Sequence, residues 1–255
     1  MKFKTGLVSI SFRALQPDEI LKLVKDSGLE AIEWGGDVHA VAGNLPLAEQ
    51  IVGATRALGL RMPEYGSYYR IGFSEPAHFE EVLASARVLG TPIIRVWAGK
   101  KSPSLVTPEE YEAIVADARR ICRMAPDMTI CLECHNNTLT EDYETALRFL
   151  CDVDCANFQM FWQPNQRQDH QYNLDALRAL LPYVHSVHVF SQEGSDKLPL
   201  AAHTDRWMEY LRILRNSPRE EIFLMLEFMH DNDPASLPDA AATLNGWRKA
   251  LQNEL

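Results

Sequence analysis

The chain has 255 residues, of which 46% are hydrophobic, and a formal net charge of −10. The acidic balance excludes the basic surface that nucleic-acid binding requires, and no stretch approaches the roughly 20 apolar residues of a membrane span. The apolar run near the start is too short for a signal peptide. We therefore expect a cytoplasmic protein that binds neither nucleic acid nor membranes, and whose five cysteines are reduced.

Apolar strand-like runs alternate with amphipathic helical segments along the whole chain. The predicted strands lie at 6–12, 31–34, 61–65, 92–98, 129–135, 157–163, 186–190 and 222–228. Thr107 and Pro108 are typical of a helix start, and Gly28, Gly59 and Gly90 each stand where a helix should end. Eight strand–helix units with short connections predict an α/β fold, a single (β/α)8 TIM barrel that occupies residues 1–255.

The fifth predicted strand carries a carboxylate and an imidazole at its exit. Residues two apart in a strand share a face, so Cys131, Glu133 and His135 point the same way. Burying a carboxylate costs several kcal/mol unless it is paired or bound to a cation. His188 and Glu227 occupy similar places in the seventh and eighth strands. Since the strand ends of such a barrel meet at one face, these residues predict a divalent-metal site.

Other polar side chains belong to the same predicted face. Glu33 and His39 follow the second strand, Glu64 ends the third, Arg95 and Trp97 end the fourth, and Gln163 ends the sixth. Each also has a structural explanation that requires no ligand. Glu133 and Glu227 could pair with Arg95 across the barrel, and His188 could be a hydrogen-bonded core histidine.

Six short segments follow one another along the predicted strands. They are residues 30–39 (with Glu33 and His39), Ile94-Arg95-Val96-Trp97-Ala98-Gly99, Leu132-Glu133-Cys134-His135, Phe161-Trp162-Gln163-Pro164, Val187-His188-Val189-Phe190 and Leu226-Glu227-Phe228. In this order they resemble the xylose isomerase-like TIM barrels, the group of sugar (phosphate) isomerases and epimerases related to the endonuclease IV type of DNA-repair enzyme.

The resemblance implies one divalent metal ion, of manganese, magnesium or zinc, held by Glu133, Gln163, His188 and Glu227. Gln163 departs from the family, which usually has an acid there. Its amide oxygen can still bind a metal ion but adds no negative charge. Asp169 or His170, a few residues later, could fold back and supply the missing group.

The activity implied is that of a metal-dependent isomerase or epimerase that moves a proton next to the carbonyl of a sugar or sugar derivative through an enediolate. Glu133 and Glu227 would be the catalytic acid–base pair. Glu33, His39, Arg95, Trp97 and His135 would bind the small-molecule sugar or polyol. A polyol-ketone dehydratase with the same metal site and a non-catalytic sugar-binding barrel are the alternatives. Relatives often form dimers or tetramers, so a homo-oligomer is also expected.

Overall fold

The computed structural model describes residues 2–254, which form a closed barrel of eight parallel strands surrounded by helices. The strands are β1 (Phe3–Val8), β2 (Ala31–Gly35), β3 (Glu64–Arg70), β4 (Ile93–Trp97), β5 (Thr129–Glu133), β6 (Phe158–Trp162), β7 (Val184–Val189) and β8 (Ile222–Leu226). Each strand pairs with its neighbours in chain order, and β8 closes the barrel by pairing with β1. The predicted fold is confirmed.

The helices that follow the strands are α1 (Pro17–Asp26), α2 (Leu45–Ala57), α3 (His78–Leu89), α4 (Pro108–Met124), α5 (Tyr143–Val153), α6 (His170–Leu180), α7 (Thr204–Leu214) and α8 (Leu237–Asn253). The predicted start of α4 is confirmed by reciprocal hydrogen bonds between Thr107 and Glu110. Gly90 follows α3 with φ of +70°, a conformation that glycine adopts without strain. Within residues 2–254, no helix is long and apolar enough to cross a membrane.

Two strand predictions were wrong at their ends. The first strand ends at Val8, because residues Ser9–Phe12 form a 3-10 turn that leaves the barrel. The third continuous strand begins at Glu64 rather than at residue 61, because Arg61 pairs with Ala31 only in an isolated bridge and Pro63, which has no N–H, cannot extend the ladder. Glu64 therefore begins β3 and points into the barrel interior below the strand ends, instead of standing at the exit.

Hydrophobic side chains fill the molecule in two layers. The larger cluster packs between the strands and the helices. A smaller cluster fills the barrel interior and consists of Val8, Ala31, Ile93, Cys131, Phe161, Phe223 and Met225. Since these residues precede the polar ends of their strands, the apolar plug forms the floor on which a site at the C-terminal mouth is built.

Candidate active site

Glu133 ends β5 and is buried, with two different environments for its two oxygens. Its Oε2 accepts hydrogen bonds from Arg95 Nη1 and from Trp97 Nε1, the latter at 2.6 Å. Its Oε1 faces His188 Nδ1 at 3.6 Å. Burial would raise the pKa of Glu133, but Arg95 and His188 overcome this and hold it well below its usual range. The expected pairing with Arg95 thus occupies only one oxygen of the carboxylate.

His188, on β7, is fully buried among acceptors. Its Nδ1 lies 3.0 Å from Gln163 Oε1 and 3.3 Å from Glu227 Oε2, and its Nε2 lies 3.2 Å from Glu33 Oε2. Burial opposes protonation, yet the carboxylates of Glu227, Glu133 and Glu33 raise the pKa of His188 to about 10. A metal-binding histidine commonly donates its second N–H to a carboxylate. Glu33 stands where that acceptor is needed, with Nδ1 left to face the other ligands.

Glu227 follows β8 and is 3% exposed. Its Oε2 is buried and accepts no hydrogen bond, because its 3.3 Å approach to His188 Nδ1 does not have hydrogen-bond geometry. Burial, with a further contribution from Glu133, raises the pKa of Glu227 to about 7. A buried carboxylate oxygen without a donor is costly. The arrangement is the one expected of an oxygen that binds a cation.

Gln163 directs its amide oxygen to the same place. Its Nε2 donates to the carbonyl oxygen of Cys134 at 2.7 Å, which fixes Oε1 toward His188. The prediction that Asp169 or His170 folds back into the site is wrong. Asp169 caps α6 by accepting from Tyr172 N, and His170 bonds to the hydroxyl of Tyr210.

The charges around these groups also indicate a cation. Glu33, Glu133 and Glu227 are three buried carboxylates, whereas Arg95 supplies a single guanidinium. A fourth buried carboxyl, Glu64, has its pKa raised by burial and by Glu33, which favours its neutral form. With His188 protonated one negative charge remains, and with His188 neutral, as a metal ligand must be, two remain. One ligand atom from each of Glu133, His188 and Glu227 lies within 4.8 Å of the others. Oxygen and imidazole donors suit magnesium, manganese and zinc. The residues therefore fit a divalent ion. We call Glu33, Arg95, Glu133, His188 and Glu227 the inner cluster.

Glu33 and His39 lie behind this site rather than beside a substrate space. Glu33 is fully buried and accepts from Arg95 Nε at 2.8 Å. A Cβ on Gly66 would come within 2.5 Å of both Arg95 Nη2 and Glu33 Oε1, so the ion pair depends on this glycine. The His39 ring bonds to Ser9 Oγ at 2.9 Å. Glu33 and His39 were predicted to contact the substrate, but neither residue lines the cavities described next.

A cavity of about 700 Å³ opens above the inner cluster. It brings together five of the predicted side chains, namely Arg95, Trp97, Glu133, His135 and Glu227. A smaller adjoining cavity of about 230 Å³ is lined by Gln163 and shares His135 with the first. His188 lies beneath both, without exposed surface.

Four residues at the outer edge of the large cavity were given no functional role from the sequence. They are Arg13, Tyr68, Lys197 and Phe228, which we call the rim. Tyr68 and Phe228 have φ of +61° and +50°, in the left-handed region that non-glycine residues seldom adopt. Neither the hydrophobic pattern nor the turn chemistry signals such a conformation. Lys197 lies on a short hairpin formed by Gln192–Glu193 and Asp196–Lys197. The Gly194-Ser195 pair, which is typical of a turn, is the sequence feature that could have predicted this hairpin.

The chain belongs to the xylose isomerase-like TIM barrel family, whose model matches residues 21–251. It is 23% identical over 215 residues to a 3-dehydroshikimate dehydratase of Bacillus anthracis, covering 78% of this chain and 74% of that protein. The crystal structure of the probable 3-DHS dehydratase involved in petrobactin synthesis from Bacillus anthracis superposes with a TM-score of 0.80 at 23% identity, over 95% of this chain and 98% of that one.

Two solved structures of the same fold contain metals. A xylose isomerase-like TIM barrel protein from Mycobacterium smegmatis in complex with magnesium has a TM-score of 0.72 at 14% identity, over 98% of this chain and 97% of that one. The IOLI protein with a bound zinc atom has a TM-score of 0.73 at 12% identity, over 96% and 98% of the two chains. At these identities the likeness shows the shared barrel alone.

Proposed function

We propose that this protein is a divalent-metal-dependent dehydratase that removes water from a cyclic polyhydroxy ketone such as 3-dehydroshikimate. The observation that carries the proposal is the excess of buried carboxylate around His188 at the base of the large cavity. The similarity to a 3-dehydroshikimate dehydratase supports elimination over the isomerase or epimerase reaction that the sequence first suggests.

Four side chains would hold the metal ion, namely Glu133, Gln163, His188 and Glu227. When bound, a divalent ion polarises a carbonyl group and stabilises the negative charge that develops on its oxygen. Glu33 would orient the His188 ring through Nε2, and Arg95 would keep Glu133 ionised. The indole N–H of Trp97 donates a hydrogen bond to the same oxygen of Glu133, and this bond holds the indole ring as one wall of the cavity.

His135 is the group best placed to move the proton. Its Nδ1 lies 2.7 Å from the carbonyl oxygen of Asn136, which can only accept, so Nδ1 carries the hydrogen and Nε2 is left with its lone pair. The ring packs against Trp97, with centroids 5.1 Å apart, and lines both cavities. A histidine that lies outside the metal ligands can act as general base without losing the cation.

In the proposed elimination, His135 both takes the proton from carbon and returns it to the leaving group. Nε2 takes a proton from the carbon next to the carbonyl, and the electron pair of that C–H bond forms the enolate. When the enolate re-forms the carbonyl, a carbon–carbon double bond develops and the C–O bond to the neighbouring hydroxyl breaks. The imidazolium returns its proton to the departing hydroxide, which leaves as water.

Isomerisation or epimerisation remains the second candidate, because Glu133 and Glu227 approach one point from β5 and β8. That chemistry needs one group to take the proton from carbon and another to return it. Arg95 and Trp97 already engage Glu133, whereas Oε2 of Glu227 is free of hydrogen bonds. Glu227 is therefore the better of the two carboxylates to accept a proton from carbon.

One experiment separates these reactions. The protein is loaded with manganese, magnesium or zinc and incubated with 3-dehydroshikimate in deuterated water, and the products are followed by ultraviolet absorption and NMR. Dehydration gives a ring that can become aromatic, and His135→Asn should lower kcat by about 100-fold or more while metal content stays unchanged.

The control is His78→Asn, an exposed histidine outside both cavities, which should leave kcat unchanged. Deuterium exchange without loss of water, abolished in Glu227→Gln, would replace the dehydratase by an isomerase or epimerase. Binding without exchange or elimination would leave the non-catalytic sugar-binding barrel.

A further inference from the structure

We propose that Lys197 is the residue that recognises an anionic group, a ring carboxylate, on the substrate. The class of anion rests on the proposed dehydratase function, whereas the position of the ammonium group rests on geometry alone. Lys197 lines both the large cavity above the inner cluster and the smaller one beside it. A ligand in either space would meet its charge.

Lys197 is the cavity cation that lacks a carboxylate partner. Arg13 pairs with Asp37 at 2.5 Å, and Arg95 pairs with Glu33 and Glu133. Within residues 2–254, no carboxylate lies within 4.0 Å of the Lys197 ammonium group. An exposed lysine is usually free to move in solvent, so a fixed position for this one requires contacts that hold it.

Two contacts hold the ammonium group over the cavity. Nζ donates to Asn232 Oδ1 and lies 5.1 Å from the centre of the Phe228 ring. Both partners are neutral, so they position the charge without cancelling it. Phe228 and Asn232 also line the cavity.

The backbone of both partners is in an unfavourable conformation. Phe228 has φ of +50° and Asn232 has φ of +56°. A left-handed conformation is unfavourable for a residue other than glycine, less so for asparagine, and such strain is concentrated at functional sites. Here it brings the segment after β8 against the hairpin after β7 and places two neutral groups around one ammonium ion.

The lone ammonium group suits a carboxylate better than a phosphate. Phosphate sites typically combine a cation with several backbone N–H groups from a glycine-rich loop or helix start. The groups around Lys197 are a side-chain amide oxygen and an aromatic ring. A single negative charge on a planar group matches one ammonium ion, and the aromatic and apolar wall of Trp97 and Ile10 can take the ring that bears it.

The test compares Lys197→Met, Lys197→Arg and a matched control, Lys100→Met. Lys100 also lies against an aromatic ring, 4.8 Å from the centre of Phe73, but it lines neither cavity. Calorimetric titration of the metal-loaded protein would use shikimate, which has no ketone and cannot be dehydrated next to one, and its methyl ester. Circular dichroism and metal content verify that each variant is folded and loaded.

Loss of a charge-assisted hydrogen bond corresponds to about 10-fold to 100-fold in affinity. We expect Lys197→Met to weaken shikimate binding by that factor and ester binding less than two-fold, with Lys197→Arg retaining most of the preference and Lys100→Met all of it. Equal weakening of acid and ester, or none, overturns the proposal, as does tighter binding of fructose 6-phosphate than of shikimate. Acid-selective binding without turnover of 3-dehydroshikimate supports Lys197 and refutes only the dehydratase.

Discussion

The inner cluster and the rim differ in what holds their charges. Four inner-cluster side chains come from β-strands and Glu227 directly follows β8; all are nearly or fully buried and pair with one another. Arg13, Lys197 and Phe228 of the rim come from segments after the strands, and Tyr68 lies near the end of β3. Tyr68 and Asn232, both with left-handed backbone, hold the two rim cations, Arg13 and Lys197. Under the proposed function, the buried cluster would supply the chemistry, while the rim would adapt the same barrel to a particular ligand.

The largest effect is expected from Arg95→Met. Removing one partner of a buried ion pair leaves uncompensated charge and costs about 3–5 kcal/mol. Here Glu33 and Glu133 would both lose their guanidinium partner. Urea denaturation should show this loss in the free energy of unfolding. The exposed pair of Arg178 with Asp175 provides the control, since Arg178→Met should change the free energy by less than about 1 kcal/mol.

Gly66→Ala tests the same cluster by steric means. The added methyl group would overlap Arg95 Nη2 and Glu33 Oε1, so we expect about 1–3 kcal/mol of destabilisation. At Gly53, within α2, a Cβ would have no neighbouring atom within 4 Å, and Gly53→Ala should be neutral or stabilising by up to about 1 kcal/mol. Equal thermal unfolding of the two variants would show that the ion pair tolerates displacement.

Glu33→Gln should weaken metal binding without removing a ligand. Carboxylates that orient a ligating histidine contribute about 10-fold to 100-fold to metal affinity. Competition with a chelator would measure the change. Glu221→Gln, at an exposed pair with Arg61, should leave affinity unaltered. A Glu33→Gln protein that binds metal as tightly as wild type would mean that His188 is oriented by other contacts.

The smallest effect is expected at Asn232, the residue that holds Lys197 of the rim. Asn232→Gly relieves the backbone strain of a residue in the left-handed conformation, but it also removes the hydrogen-bond acceptor of Lys197. The two changes oppose each other, so the free energy of unfolding should shift by less than about 1 kcal/mol. Binding of shikimate, measured by calorimetry, should still weaken. A stability loss as large as that of Arg95→Met would contradict the distinction between the two regions.

Sequence reasoning reached the barrel and most of the inner cluster, and the reason is periodicity. Alternation along β5 places Glu133 on the inner face, and parallel strands bring His188 and Glu227 to the same end. The same reasoning gave Glu33 a substrate contact, because a sequence shows which face a side chain occupies but not how deeply it is buried. The rim was missed because φ at Tyr68 and Phe228 is set by tertiary packing rather than by residue type.

The central claim is that the inner cluster holds one divalent ion. Its most direct test is the metal content, by mass spectrometry, of wild type, Glu227→Gln and Glu209→Gln after loading with manganese, magnesium or zinc and removal of free ions. Glu209 is a surface acid beside His170 and serves as the control. We predict about one ion per chain in wild type and Glu209→Gln, and a sharp loss in Glu227→Gln. Wild type without metal, or Glu227→Gln that retains it fully, would contradict the account.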